Sequence, residues 1–197
     1  MKVLIACEYS GAVRDAFARL GHDAMSCDLL PTDAPGKHYQ GDVFDVIGDG
    51  WDLMIAHPPC TYLSVSGMHW TTRGLRDPQL TIDALEFTRR LLDAPIPKIA
   101  LENPVSIIST RIRKPDQIIQ PWQFGHDASK RTCLWLNGLP LLTPTDVLPG
   151  DSKTRRANQT ASGQNKLPPG KDRWKIRSAT YQGIADAMAN QWGNVNL

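Results

Sequence analysis

The chain has 197 residues, enough for one domain with a full core and short for two. Hydrophobic residues make up 41% and charged residues 21%, a balance that excludes a disordered tail, a collagen and a membrane-spanning protein. The net charge of +2 is uneven, because Asp151 to Arg177 holds eight basic residues against two acids, a net +6 that leaves −4 on the rest.

No apolar run approaches the roughly 18–20 residues that cross a bilayer, and the N-terminus reaches Glu8 too early for a signal peptide. Cys7, Cys27, Cys60 and Cys133 are scattered without a CxxC pair, which fits neither a zinc site nor a disulfide framework. The expectation is no metal and a reducing cytoplasm, that of a host cell if the chain is phage-encoded.

Lys2 to Cys7 (KVLIAC) is a short apolar run of the kind that fills a buried parallel strand. Gly11 to Leu20 reads as a helix, with Val13, Phe17 and Leu20 at helical spacing and Gly21 as the stop. Asp23 to Leu29 returns to strand character, and Asp52 to Ala56 is a third strand that breaks at His57-Pro58-Pro59. Leu80 to Leu92 is an amphipathic helix, Lys98 to Leu101 a fourth strand and Thr132 to Leu136 a fifth. This alternation predicts an α/β domain with a mostly parallel sheet. Pro140 to Arg177 lacks periodicity and reads as loop or a small irregular subdomain. Ser178 to Trp192 resumes as a helix, with Tyr181, Ile184, Ala185, Met188 and Trp192 on one face.

Ligands of open parallel sheets bind beyond the carboxyl ends of the strands. Five features fall at such ends: Glu8 to Gly11, Asp28, Asp42, His57 to Ser64, and Glu102 to Pro104. The first is a strand, a glycine turn and a helix, an arrangement that holds a nucleotide-like cofactor, here without a GxGxxG. Asp28 reads as a ligand for ribose hydroxyls or as a loop acid. Pro58 and Pro59 stiffen the chain and project Cys60, either as a nucleophile or as a small buried hydrophobe. Glu102 beside a thiol invites acid catalysis, since a desolvated carboxyl can stay protonated near neutral pH. The basic segment, with Trp174 among its charges, reads as a solvated loop or as a strip for phosphate contact with one stacking platform.

Pro59-Cys60-Thr61-Tyr62-Leu63-Ser64 resembles the Pro-Cys-Gln-x-Phe-Ser motif of C5-cytosine DNA methyltransferases, and the strand before it matches too. Glu102-Asn103-Pro104 is similar to that family's Glu-Asn-Val motif, after a helix opened by Arg76-Asp77-Pro78. Phe17 to Asp23 resembles the helix end after the cofactor loop, and Phe124 to Leu136 the later Gln-x-Arg-x-Arg block. Ser178 to Trp192 stands where the last family motif does. The order is the family's own, over about residues 1–145 and 178–193. Three departures stand out. The cofactor loop, Cys7-Glu8-Tyr9-Ser10-Gly11, lacks one family glycine, and Asp28 replaces the usual ribose-binding Glu. In the late block Ala128, Lys130 and Thr132 fall at the motif positions, with Arg131 one step out of register.

The resemblance implies a single-domain, Rossmann-like methyltransferase fold that uses S-adenosylmethionine, with helices on both sheet faces. It implies a catalytic core over 1–145, a basic loop or reduced target-recognition region over 146–177, and a C-terminal helix over 178–197 that packs back on the core. Glu8, Tyr9, Ser10, Gly11, Asp28, Asp42 and Pro58 would line the cofactor, with Asp42 set against the adenine amino group. Cys60 would attack carbon 6 of cytosine, Glu102 in protonated form would bond ring N3, and Pro59, Asn103 and Arg131 would support them. Ser64, Lys130, Arg131, Arg155, Arg156, Lys171, Arg173 and Trp174 would contact DNA, duplex or single-stranded, with short or relaxed sequence specificity. Two other readings stay open: modification of a free cytosine nucleotide, and a non-catalytic nucleic-acid-binding protein on a decayed methyltransferase fold. A third is weaker, because His57-Pro58-Pro59-Cys60 half-resembles the Pro-Pro-Tyr loop of amino methyltransferases but offers no aromatic residue to stack on a base. The expected oligomeric state is monomer over any defined assembly.

Overall fold

A computed structural model describes residues 1–194. Its strands are β1 (Lys2–Ala6), β2 (Asp23–Asp28), β3 (His38–Gln40), β4 (Leu53–Ala56), β5 (Lys98–Pro104), β6 (Gln117–Ile119) and β7 (Thr132–Asn137). Its helices are α1 (Ala12–Arg19), α2 (Val65–Thr72), α3 (Gln79–Leu92), α4 (Ile108–Arg111), α5 (Arg173–Ser178) and α6 (Gln182–Trp192). The seven strands form one sheet in the order β3-β2-β1-β4-β5-β7-β6. β1 to β5 run parallel, and β7 runs antiparallel to both of its neighbours. This is the expected Rossmann-like α/β fold.

Side chains alternate across a strand, so each face of the sheet builds its own core. Val3, Ile5, Leu53, Ile55, Ala100 and Leu134 face one side, under Val13 and Phe17 of α1 and Ile184, Met188 and Trp192 of α6. Leu4, Ala6, Met54, Ala56, Ile99, Leu101 and Trp135 face the other, under Leu91 of α3 and Ile108 of α4. Both faces are covered, which is why the central strands read as continuous apolar runs rather than alternating ones.

Two strands and two helices have no sequence signature. β3 and β6 are three residues each, α2 buries no residue, and α4 is a single turn. Other expectations are corrected at their edges. β5 runs through Pro104 rather than stopping at Leu101, because β7 pairs with it residue by residue, Glu102 opposite Leu134 and Asn103 opposite Cys133. α6 starts at Gln182 with Tyr181 as its N-cap, and Ser178 instead ends α5, which lies partly inside the stretch expected to be irregular. Residues 195–197 of the expected C-terminal region lie outside the described residues.

The segment 146–177 is docked on the body by polar contacts. The Ser129 N–H donates to Asn158 Oδ1 (2.8 Å), and Asn158 Nδ2 donates back to the Ser129 carbonyl (3.0 Å). Ala157 N–H bonds Asp127 Oδ2 at 3.2 Å, and Leu148 N–H bonds the Trp122 carbonyl at 2.9 Å. The loop after β2 is held differently. The buried Arg14 guanidinium, 1% exposed, reaches Ser26 Oγ and Thr32 Oγ1 (both 3.1 Å) and the carbonyls of Ala34 (3.1 Å) and Pro35 (3.0 Å). It lies between Gly11 and Gly36, and a Cβ at either position would come within 2.6 Å of it.

Candidate active site

The ends of β1, β2 and β3 form an acid-lined half of the site. Gly11 takes a left-handed φ of 77°, which turns the chain from β1 into α1 at low cost only for glycine. Cys7 also takes a positive φ, 59°, which is strained for a side-chain-bearing residue. Glu8 is buried and points into the start of α1, where its carboxylate accepts from Val13 N–H (2.8 Å), Arg14 N–H (3.2 Å) and Ser10 Oγ (3.2 Å). Ser10 Oγ in turn accepts from Ala12 N–H at 3.3 Å.

Those bonds commit the Glu8 carboxylate, expected at the cofactor, to the start of α1. The backbone donors of a helix N-terminus, which bind phosphate in nucleotide-binding loops, are here taken by the protein's own carboxylate. Such an end suits a ligand without phosphate. Asp28 uses Oδ1 to accept from Leu30 N–H (2.9 Å), Asp42 uses Oδ1 to accept from Phe44 N–H (3.0 Å), and among the described residues each keeps its second oxygen unbonded. The two carboxylates act on the same thiols: after burial itself both push Cys7 up, and both help push Cys27 up to about 12. Two acceptors in a negative field fit hydroxyls, an amino group and a cation.

The ends of β4 and β5 form the second half. Cys60 is the exposed cysteine among the four. Its carbonyl accepts from Leu63 N–H (3.1 Å) and Ser64 N–H (2.9 Å), so the motif closes into a tight turn. Ser64, expected at the substrate, is buried and caps α2 by accepting from Gly67 N–H at 3.2 Å. Gly67 is required there, since a Cβ would meet the Thr61 carbonyl at 2.1 Å. Two side chains of β5 clamp the loop from the other side. Asn103 Nδ2 donates to the Pro58 carbonyl (2.8 Å), and His57 Nδ1 donates to Glu102 Oε2 (2.8 Å). Rigid mounting of this kind is what Pro58 and Pro59 anticipate.

The electrostatics of the pair differ from expectation. Burial pushes Glu102 up, but the hydrogen bond from His57 and the charge of Lys130 outweigh it and hold the carboxyl below its ordinary value. Glu102 is therefore a carboxylate in this structure, not the protonated acid that desolvation alone would give. Cys60 moves the other way. The protein behind it desolvates the thiol, and the Glu102 carboxylate adds to the rise, against a pull from its own backbone N–H, Lys130 and Arg177.

The basic residues fall into two groups. Arg156, 4% exposed, turns inward over the Trp122 ring and donates to the Pro149 carbonyl (3.1 Å), so it presents no charge to solvent. Arg173 bonds the Leu167 carbonyl, and Lys175 pairs with Asp33 at 3.0 Å. Lys130 Nζ donates to the Ala179 carbonyl (3.2 Å) and so holds the α5–α6 corner rather than standing free. Arg131, Lys153, Arg155, Lys166, Lys171 and Arg177 are exposed, and among the described residues their side chains have no hydrogen bond or ion pair. Trp174 is half exposed, packed on Tyr9 at 5.7 Å between ring centroids. Tyr9 Oη bonds the Lys175 carbonyl (3.0 Å) and Ser178 Oγ (2.8 Å), which seats α5 over the loop after β1. A narrow cleft lies between Glu102, Lys130, Thr132, Tyr181 and Ile184.

Sequence reasoning missed the roles of His57, Arg14 and Tyr9. Only His57 carried a signal, as the polar residue that ends an otherwise apolar strand. Among the described residues no helix is long and apolar enough to cross a membrane, and no group of three or more His, Cys, Asp or Glu is placed to hold a metal.

No protein-family model matches the chain, and no curated protein matches it. Among solved structures it is similar to a provisionally assigned DNA modification methyltransferase encoded within a prophage of E. coli. The likeness has 15% identity and a TM-score of 0.48, and covers 88% of this chain but only 61% of that one.

Proposed function

We propose that this protein transfers a methyl group from S-adenosylmethionine to carbon 5 of cytosine in DNA through a covalent Cys60 adduct. One observation carries the reading: an exposed cysteine sits on a proline-stiffened loop that is clamped to the next strand and electrically coupled to a buried carboxylate there.

S-adenosylmethionine, when bound, supplies an electrophilic methyl group. It is a cation with hydroxyls and an adenine amino group and no phosphate, which suits the acid-lined half of the site. Asp28 and Asp42 keep carboxylate oxygens for the hydroxyls and the amino group, and the filled start of α1 demands no anion. Cys60 Sγ adds to carbon 6 of the cytosine, which makes carbon 5 nucleophilic. Glu102, once it has taken up a proton, donates it to ring N3 and offsets charge that develops there. Asn103 holds the Pro58 carbonyl and so fixes the cysteine mount. After methyl transfer, loss of the carbon 5 proton expels the Cys60 thiolate. A base within a duplex must be flipped out first, at a cost of a few kcal/mol. Arg155, Lys171 and Arg131, which are exposed, contact the phosphate backbone in this reading.

The test is incubation of wild type and Cys60→Ala with methyl-labelled cofactor and duplex DNA, single-stranded DNA or dCMP. The expected product is DNA labelled at carbon 5 of cytosine by wild type alone, while Cys60→Ala still binds cofactor by calorimetry. Wild-type rates in Cys60→Ala, or no label from wild type on any substrate, overturn the proposal. Label on dCMP only assigns a free nucleotide as substrate.

A further inference from the structure

His57, with a side chain 12% exposed, is a titratable group for which the reaction above has no use. It sits at the exit of β4, where its backbone N–H donates to the Ala6 carbonyl at 2.9 Å, and its ring lies nearly buried against β5. Nδ1 is 2.8 Å from Glu102 Oε2, so it is the protonated nitrogen facing a carboxylate. Nε2 is buried and has no hydrogen-bond partner. Glu102 Oε1 has no hydrogen-bond partner either among the described residues, but unlike Nε2 it is not sealed off, and Glu102 lines the narrow cleft. One oxygen is thus held by His57 and the other is left for a ligand.

The proposed chemistry needs Cys60 without its proton and Glu102 with one, whereas this structure favours the reverse. We propose that His57 is the positioning residue that keeps Glu102 as a proton acceptor with Oε1 free, so that the proton lost by Cys60 Sγ is taken up by Glu102 and presented to ring N3. This deepens the reading of the site as a cytosine methyltransferase and rests on it. The balance closes within the pair. Thiol and carboxylate become thiolate and carboxylic acid, one negative charge before and after, with no proton drawn from bulk water. When thiolate adds to carbon 6, the electron pair moves toward N3, where the Glu102 proton meets it. The active state is therefore the pair with a single proton, whichever member holds it.

The surrounding groups support that exchange. Lys130, from the loop before β7, and Arg177, from α5, lower the Cys60 thiol, and Lys130 also lowers Glu102. Cys133 of β7 stands opposite Asn103 and is itself pushed up, by burial first, with Arg131 pulling down and Glu102 pushing up, so it stays a thiol and competes for no proton. A bell-shaped rate profile follows, its acid limb set by Glu102 and its alkaline limb by Cys60.

The experiment compares wild type, His57→Ala and His57→Asn. In His57→Asn the side-chain amide replaces the Nδ1–H donor but does not titrate. Glu102 is followed by carboxyl carbon NMR on labelled protein, a readout independent of methyl transfer, beside the pH profile of kcat and a thermal melt that confirms folding. In His57→Ala the Glu102 midpoint and the acid limb both rise by at least one pH unit, about tenfold in proton affinity, while the alkaline limb stays in place. In His57→Asn both return to the wild-type position. A Glu102 midpoint unmoved in folded His57→Ala, or moved equally in His57→Asn, overturns the inference. If the midpoints move as stated but wild type transfers no methyl group, the functional reading fails and the role of His57 toward Glu102 stands.

Discussion

Arg14 offers the sharpest test of how the acid-lined half of the site is held. Its guanidinium is 1% exposed and donates to Ser26, Thr32, Ala34 and Pro35, with Nε paired to Asp15 at 2.8 Å. Arg14→Ala does not cost all of these equally. Ser26 Oγ keeps His38 Nδ1 at 2.8 Å, Thr32 Oγ1 keeps Ala34, and Asp15, 38% exposed, returns to water. The carbonyls of Ala34 and Pro35 lose charge-assisted bonds worth about 1.5–3 kcal/mol each. A space also opens between Gly11 and Gly36, which the guanidinium fills. Together these give a loss of about 3–5 kcal/mol, in the range of breaking a buried ionic network. Urea unfolding of the variant measures it, and limited proteolysis should cut first within residues 29–37. Arg14→Lys should recover only part, because a single ammonium does not span acceptors on both sides of the loop. A loss below about 1 kcal/mol for Arg14→Ala would refute the assignment of Arg14 as the loop's anchor.

Two further outcomes follow from charge placement. Asp116 is pushed up by burial but pulled further down by the Leu136 N–H (2.6 Å) and by Arg113 (2.7 Å), ending below its ordinary value. A depressed acid binds fewer protons folded than unfolded, so its stabilisation is present above the unfolded value of about 4 and is lost as pH falls through the folded value. Stability of Asp116→Asn should therefore decline less steeply with acid than wild type, as read by denaturant melts from pH 6 to pH 2. Arg155→Ala and Lys171→Ala should each weaken DNA binding and lower its salt slope by about 1, with melting unchanged. Arg156→Ala should instead lower the melting temperature, because its buried contacts to Trp122 and Pro149 disappear.

The five strands and three helices read from the sequence were legible because burial on both faces writes itself into sequence as apolar runs and helical stripes. β3 and β6 are too short to carry a period, and α2 buries nothing that could show one. At the site, Cys60, Asn103 and Pro58 could be brought together from the motifs alone, since both loops leave adjacent parallel strands. Protonation could not. Glu102 reads as a protonated acid until the partner at 2.8 Å is known, and that partner is 45 residues away in sequence. Arg156 likewise looks like its neighbours in a basic run, and only the fold turns it inward.

The helix α6 has a consequence for how the chain reaches its fold. Ile184, Ala185, Met188 and Trp192 cover β1 and α1, which are made at the opposite end of the sequence. Until residues 182–192 have been synthesised, Val3, Ile5, Val13 and Phe17 lack the cover that α6 gives them. At about 5–20 residues per second, the first strand and helix wait on the order of ten seconds or more for their partner. The contact is thus among the most non-local in the chain, and such contacts slow folding because loop closure precedes any gain. The apolar face of the N-terminal unit is the surface that chaperones would meet during that interval, and the segment whose exposure sets the risk of aggregation.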